Sequence, residues 1–148
     1  MIARSKDEAW MLEAFRQAEK AYSQDEVPVG CVIVYNDTVI GKGHNLVETL
    51  SDSTAHAEMI SITSAANYLD DWRLIDCSLY VTKEPCLMCF GAILNSRVKN
   101  LYYGVSDSKK SRTIRALKVT IGSRQAIWDP NVDETEEEKS VSVIEFYV

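Results

Sequence analysis

The chain has 148 residues, which suits one domain of ordinary size with a sizeable core. Hydrophobic residues make up 46% and charged residues 26%, and these ordinary fractions exclude disordered, collagen-like and coiled-coil classes. The formal net charge is −6. Taken as a whole, this charge argues against a nucleic-acid partner, because phosphates bind to basic surfaces.

The charge is distributed unevenly along the chain. Residues 1–96 carry a net charge of −7, residues 97–128 a net charge of +7, and residues 129–148 a net charge of −6. A basic segment of this kind is usually only a solvated surface. Its concentration in one stretch nevertheless keeps a nucleic-acid partner open.

The sequence favours an intracellular protein. No stretch reaches the roughly 18–20 apolar residues of a membrane span, and the charged start lacks the apolar run of a signal peptide. We therefore expect a cytoplasmic protein with no membrane partner. The cysteines do not indicate a disulfide framework. Cys31 and Cys77 lie in apolar runs and are predicted to be buried, which leaves the C-x-x-C pair of Cys86 and Cys89 to be explained.

Apolar spacing and β-branched runs predict an alternation of helices and strands. In chain order, the predicted elements are a helix over 6–23, strands over 29–35 and 38–43 joined by a turn at Asn36-Asp37, a polar loop over 46–53, a helix over 54–66, a strand over 78–82, a helix from Pro85 to about Ser96, a strand over 98–105 and a strand over 141–148. Residues 106–128 fit either a helix or a strand. Two strand–helix–strand crossovers predict an α/β fold, with three α/β/α layers and a central mixed sheet of about five strands. We expect one domain over 1–148.

Two short motifs bring metal-binding residue types to predicted helix starts. His56 and Glu58 lie in the first motif, and Cys86 and Cys89 lie in the second. One imidazole and two thiolates form a zinc set that leaves the fourth tetrahedral position open, which is the catalytic pattern. The C-x-x-C spacing places both sulfurs on one face of a helical turn, and the positive helix end favours their thiolate form.

Glu58 can serve this site only under one geometric condition. On a regular helix, positions i and i+2 point roughly 200° apart, so Glu58 and His56 converge only at the N-terminal tip. Ser53 and Thr54 are candidate caps that would place them there. Glu58 would then transfer protons beside the metal without binding it.

Other interpretations of the cysteine pair remain open. A C-x-x-C pair also occurs in thioredoxin-type redox proteins. A structural zinc site would need a fourth ligand, for which His44, Cys31 and Cys77 are the candidates, although His44 is more typical of a loop or pocket rim. The combination of H-x-E with P-C-x-x-C is the signature of zinc-dependent nucleobase deaminases and favours that class.

Further segments extend this similarity over about residues 5–107. They are Glu26-Val-Pro-Val-Gly30, Gly43-His-Asn45, Thr54-Ala-His-Ala-Glu58, Arg73-Leu-Ile-Asp76, Leu79-Tyr-Val-Thr82, Glu84-Pro-Cys-Leu-Met-Cys89, Gly91-Ala92 and Tyr103-Gly104. With these motifs the chain resembles the cytidine/deoxycytidylate deaminase superfamily, and within it the bacterial tRNA-specific adenosine deaminases.

The resemblance implies a cytidine-deaminase-like fold and a zinc-dependent hydrolase that deaminates adenosine to inosine at the wobble position of a tRNA anticodon. It implies one zinc ion per subunit, a homodimer and the anticodon stem-loop as partner. The implied roles are zinc ligation by His56, Cys86 and Cys89, proton transfer by the catalytic Glu58, contact with the purine by Asn45, a pocket wall at Val29 and Pro28, and proximity of Asp107 to the sugar.

The segment 108–148 departs from the pattern of this family. No glycine occurs between Gly104 and Gly122, and an acidic run follows at residues 133–138. The departure leaves open a deaminase of a free base or nucleoside, such as guanine, cytosine or a modified purine. A non-catalytic RNA-binding subunit that retains zinc is a further alternative, but it would have no need of Glu58.

If the basic segment binds RNA, the affinity for an anticodon stem-loop should fall steeply with salt, because phosphate contacts release counterions. The expected contacts are Lys109, Lys110, Arg112 and Arg115. Fluorescence anisotropy between low and physiological salt measures this slope. A flat response, together with full activity on free adenosine or guanine, would contradict RNA binding.

Overall fold

The predicted order of elements is confirmed, with one added turn of helix in the polar loop and one added strand in the segment 106–128, which fitted either a helix or a strand. The structure, a computed structural model, describes residues 5–105 and, as backbone only, two strands at 125–127 and 142–147. The elements are α1 (Lys6–Ser23), β1 (Gly30–Tyr35), β2 (Thr38–His44), α2 (Val47–Leu50), α3 (Ala57–Leu69), β3 (Ser78–Lys83), α4 (Leu87–Asn95), β4 (Asn100–Val105), β5 (Gln125–Ile127) and β6 (Ser142–Tyr147). The unexpected turn is α2.

The strands form one mixed sheet in the order β2-β1-β3-β4-β6-β5. β1 runs antiparallel to both β2 and β3, β3 and β4 are parallel, and β6 is antiparallel to β4 and β5. The predicted turn at Asn36 and Asp37 joins β1 to β2, and both residues have positive φ, as tight hairpin turns require. The mixed sheet is therefore confirmed.

Helices cover both faces of the sheet, which confirms the three-layer architecture. On one face α1 packs against Val32 and Tyr80. On the other face, residues of α3 and α4 share a buried cluster with Ile33, Leu79 and Leu101. The alternation of odd and even strand positions between the two faces follows from the period of two in a β-strand. Cys31 and Cys77 are both fully buried, as predicted.

Helix α1 is fixed at its start and along its length. Ser5 caps it, since the Ser5 hydroxyl accepts a hydrogen bond from the Glu8 amide while the Glu8 carboxylate accepts one from the Ser5 amide. The Tyr80 hydroxyl donates to Asp7 at 2.6 Å, and the Tyr80 ring stacks on Tyr102. Among the described helices, none is long and apolar enough to cross a membrane.

Helix α3 approaches the sheet unusually closely, and glycines in β2 make this possible. A methyl group on Gly43 would lie 2.5 Å from the Ala57 carbonyl oxygen, and one on Gly41 would lie 2.5 Å from that of Ser61. The buried Ser61 hydroxyl also donates to the Cys31 carbonyl of β1. These contacts fix the position of the α3 start relative to the sheet.

Replacing Gly43 with alanine should push α3 away from β2. We expect Gly43→Ala to lower the free energy of unfolding by about 1–3 kcal/mol, the usual cost of overpacking. Gly91→Ala is the matched control, because Gly91 lies inside α4 with open space where the methyl group would go. It should stabilise the chain by about 0.5–1 kcal/mol. Denaturant unfolding measures both changes, and equal effects of the two substitutions would contradict the close approach.

Candidate active site

The two helices that carry the motifs begin directly after a motif residue. His56 is the N-cap of α3 and Cys86 is the N-cap of α4, and both have extended backbone. The predicted caps Ser53 and Thr54 are therefore wrong. The predicted helix start at Pro85 is also wrong, because Pro85 precedes the cap.

A local turn explains why α3 begins late. The Asp52 carboxylate accepts hydrogen bonds from the Thr54 amide at 2.8 Å and the Thr54 hydroxyl at 2.7 Å. The same bonds hold the pKa of Asp52 below its usual range. Aspartate commonly organises a non-helical turn in this way. As a result, residues up to His56 lie outside the helix, and the i, i+2 geometry of a regular helix does not apply to His56 and Glu58.

His56, Cys86 and Cys89 form a compact group of potential metal ligands. His56 Nδ1 lies 3.6 Å from Cys86 Sγ and 3.5 Å from Cys89 Sγ. Tetrahedral zinc with Zn–S bonds of about 2.3 Å and Zn–N bonds of about 2.0–2.1 Å holds nitrogen and sulfur about 3.6 Å apart. The donor set and its spacing therefore fit zinc. Within residues 5–105, His44, Cys31 and Cys77 are not part of this group.

The two sulfurs differ in acidity. A hydrogen bond from Cys89 lowers the pKa of Cys86 to about 5, whereas the same bond and burial raise the pKa of Cys89. Zinc binds cysteine as the thiolate, so metal binding would release any proton that either cysteine carries.

Glu58 lies beside the metal-ligand group and is almost fully buried, with 3% of its surface exposed. Burial raises the pKa of its carboxyl group, because a dry environment disfavours the charged form. The carboxyl group also interacts electrostatically with Cys86 and His56 and forms a hydrogen bond with Cys89. Glu58 and His56 therefore converge, because His56 stands at the helix tip.

A cavity of about 500 Å³ opens over this group, and two of the four further predicted site residues line it. Val29 and Asn45 line the cavity together with His56, Glu58 and Cys86. Asn45 is 7% exposed, and among the described residues its side-chain amide has no hydrogen-bond partner. A buried unpaired amide facing a cavity is suited to bind a polar ligand.

Of the remaining predicted residues, only Pro28 belongs to the described part of the chain, and it does not line this cavity. Pro28 lies in a separate groove on the α1 side, together with Phe15 and Tyr22, because successive residues of an extended chain point in opposite directions. Asp107 lies outside the described residues. So do the four basic residues predicted to contact phosphates, Lys109, Lys110, Arg112 and Arg115.

The cavity also contains acidic residues to which sequence analysis gave no role. Glu26 and Glu84 are buried in its wall, and Asp25 and Glu48 lie at its exposed edge. Glu26 and Glu84 immediately precede the Val-Pro-Val and Pro-Cys motifs, which is the one sequence signal that points to them. Lys83 lines the cavity as well, but these four carboxyl groups and Glu58 outnumber it. The excess of carboxyl groups disfavours phosphate, so the cavity suits a neutral base.

Comparison with known proteins assigns this arrangement to a family. The family model described as the cytidine and deoxycytidylate deaminase zinc-binding region matches residues 4–105. The chain belongs to the cytidine and deoxycytidylate deaminase family. Zinc is therefore its cofactor, in agreement with the three-residue donor group.

Relatives of this chain have similar sequences over most of its length. A tRNA-specific adenosine deaminase of Buchnera aphidicola is 40% identical over 79% of the chain and 79% of its own length. One of Bacillus subtilis is 48% identical over 71% of the chain and 65% of its length. The chloroplastic tRNA(adenine(34)) deaminase of Arabidopsis thaliana is 54% identical over 70% of the chain, which spans only 8% of that protein.

Solved structures include two kinds of similar deaminase. A structure from a study of A-to-I editing by tRNA:A34 deaminases at the wobble position has a TM-score of 0.69 and 42% identity, and covers 72% of this chain and 82% of its own. Guanine deaminase from Bacillus subtilis has a TM-score of 0.67 and 32% identity, and covers 87% of both chains. Both share the fold of this chain.

Removing one thiolate should remove the metal. We expect Cys86→Ser to lose most bound zinc, because a neutral hydroxyl is a poor zinc ligand. Cys77→Ala is the matched control, since Cys77 is a buried cysteine outside the ligand group, and it should retain the metal. Elemental analysis of the purified proteins gives zinc per chain. Full zinc content in Cys86→Ser would contradict the assignment of this ligand.

Proposed function

We propose that this protein is a zinc-dependent hydrolase that deaminates adenosine to inosine at the wobble position of a tRNA anticodon. The proposal depends mainly on one observation: Glu58 lies beside the group of His56, Cys86 and Cys89 at one cavity. The relatives named tRNA-specific adenosine deaminases, at 40–48% identity, support the choice of substrate.

The cavity binds the base rather than the phosphate. The Asn45 amide can both donate to and accept from a purine edge, and Val29 supplies an apolar contact beside it. The acidic wall repels phosphate groups. A base in an anticodon loop must therefore leave the stack to reach the cavity, at an unstacking cost that is least for unpaired bases.

Zinc held by His56, Cys86 and Cys89 supplies a Lewis acid that lowers the pKa of water. Glu58 accepts a proton from the attacking water and delivers it to the amino group at C6 of the adenine. The new bond joins C6 to the water oxygen, and the bond between C6 and the exocyclic amino nitrogen breaks. Adenosine and water thereby become inosine and ammonia. Burial of Glu58 keeps bulk water away from the carboxyl group during this transfer.

We propose, further, that the enzyme acts in the cytoplasm as a homodimer. Exposed apolar side chains close in sequence to cavity residues support a protein contact: Leu50 and Leu87 are each more than half exposed, and they follow Glu48 and Cys86 of the cavity within two residues. A second chain that covers these side chains would lie close to the substrate. The tRNA substrate of the relatives named above supports the cytoplasmic location, although the Arabidopsis relative is chloroplastic.

Guanine deamination is the second candidate function. The guanine deaminase structure from Bacillus subtilis covers 87% of the chain, compared with 72% for the tRNA deaminase structure. The segment 108–148, which departs from the tRNA-deaminase pattern, favours this candidate. A free base needs only the cavity, whereas a stem-loop also needs contacts outside it.

Parallel assays of an anticodon stem-loop, free adenosine, guanine and cytosine should separate these functions. We expect ammonia release from the stem-loop at far lower substrate concentration than from any free base. Glu58→Gln should lower kcat by about 10²–10⁴-fold, because the amide cannot transfer protons. Zinc content and unfolding midpoint should stay unchanged.

Glu19→Gln serves as the control, since Glu19 is exposed on α1 outside the cavity, and it should keep wild-type activity. Turnover of guanine alone would replace the tRNA proposal with the second candidate. Wild-type turnover by zinc-loaded Glu58→Gln would contradict the mechanism for either substrate.

A further inference from the structure

The loop between β2 and α3, residues 45–56, forms one wall of the cavity and depends on contacts to the segment before β1. The backbone N–H of Asn45 donates to the Val29 carbonyl at 3.1 Å, and the backbone N–H of Leu46 donates to the Ala55 carbonyl at 3.0 Å. These bonds fix the base of the loop. They leave the turn α2, which projects between them, to be held by other groups.

Glu26 provides such a contact. Its carboxyl group is buried, with 5% of the residue exposed, and it lies in the cavity wall. One carboxyl oxygen accepts a hydrogen bond from the Glu48 amide at 2.7 Å, and the other accepts from the amide and hydroxyl of Thr49, both at 3.4 Å. The side chain thus spans from the segment before β1 to the first residues of α2.

Helix α2 needs an external partner of this kind. It has four residues, its N-cap Leu46 makes no side-chain hydrogen bond, and a single turn is not stable by itself. The first amides of any helix lack intrahelical acceptors, and Glu26 supplies acceptors for two of them. Val47 and Glu48 of α2 line the cavity, so the position of this part of the cavity wall depends on the Glu26 contact.

We propose that Glu26 is a positioning residue for substrate binding, which holds α2 so that Val47 and Glu48 form this part of the cavity wall. It acts through α2 and does not take part in the proton transfer. The proposal rests on the proposed function for the identity of the substrate. The link between Glu26 and the loop can be tested without any substrate.

Two substitutions of Glu26 test the proposal. In Glu26→Ala the amides of Glu48 and Thr49 lose their acceptor, so their hydrogen-exchange protection, measured by NMR on the zinc-loaded protein, should fall about tenfold or more. In Glu26→Gln the single remaining oxygen can serve Glu48, so protection should survive at Glu48 and fall at Thr49. Amides of β1 and β3 should keep wild-type protection in both variants.

The kinetic consequence is a rise in KM without a matching fall in kcat. For the anticodon stem-loop, KM should rise about tenfold in Glu26→Ala and less in Glu26→Gln, with kcat within about threefold of wild type, as expected when binding alone is weakened. Zinc content should stay at one per chain. Glu19→Ala, which removes an exposed carboxylate from the nearby α1, should leave both constants unchanged.

The proposal is overturned if Glu48 and Thr49 keep their protection in Glu26→Ala, or if kcat falls as much as KM rises. Loss of protection throughout the sheet in both variants would also overturn it, because Glu26 would then support the fold as a whole. If the wild-type protein turns over guanine but no stem-loop, the proposed tRNA function fails. The exchange experiment and the KM for guanine then still decide the role of Glu26.

Discussion

The close packing of α3 against β2 is the constraint on which the site depends. Gly41 and Gly43 leave no side chain between the strand and the helix, and Ser61 bonds to the β1 backbone from the middle of the helix. Close packing of the two backbones therefore leaves the start of α3 little room to move relative to the sheet. A metal group whose donor atoms must lie a few ångströms apart requires positioning of this kind.

The three candidate zinc ligands lie at the starts of two helices. His56 and Cys86 are N-caps with extended backbone, and Cys89 lies in the first turn of α4. The start of each helix carries a partial positive charge. This charge favours thiolates, and it offsets part of the cost of burying the Glu58 carboxylate. The starts of α3 and α4 thus bring the candidate metal ligands together at the end of the sheet where β3 leads into α4.

The residues suited to bind and deaminate a base lie in a different part of the sequence from the basic residues expected to bind phosphates. The cavity has an acidic wall, a buried unpaired amide at Asn45 and a buried carboxyl group at Glu58, and these features suit a neutral base whatever carries it. The basic residues that would hold phosphates lie in 108–148, the part that departs from the tRNA-deaminase pattern. Residues 1–96, which contain the cavity, carry a net charge of −7, so the acidic character of the chain is not confined to residues 129–148.

The sequence by itself determined the α/β fold, the order of its elements and the residue types of the metal group, because apolar periodicity and the H-x-E and P-C-x-x-C spacings are local properties. It did not determine that His56 caps α3, since two hydrogen bonds from Thr54 to the Asp52 carboxylate hold a turn before the helix in place of the candidate caps Ser53 and Thr54. It also placed Pro28 with Val29, although the two face different cavities. Only the tertiary structure decided that Glu26 contacts Glu48, because the contact joins segments that are distant in sequence and are brought together by the pairing of β1 with β2.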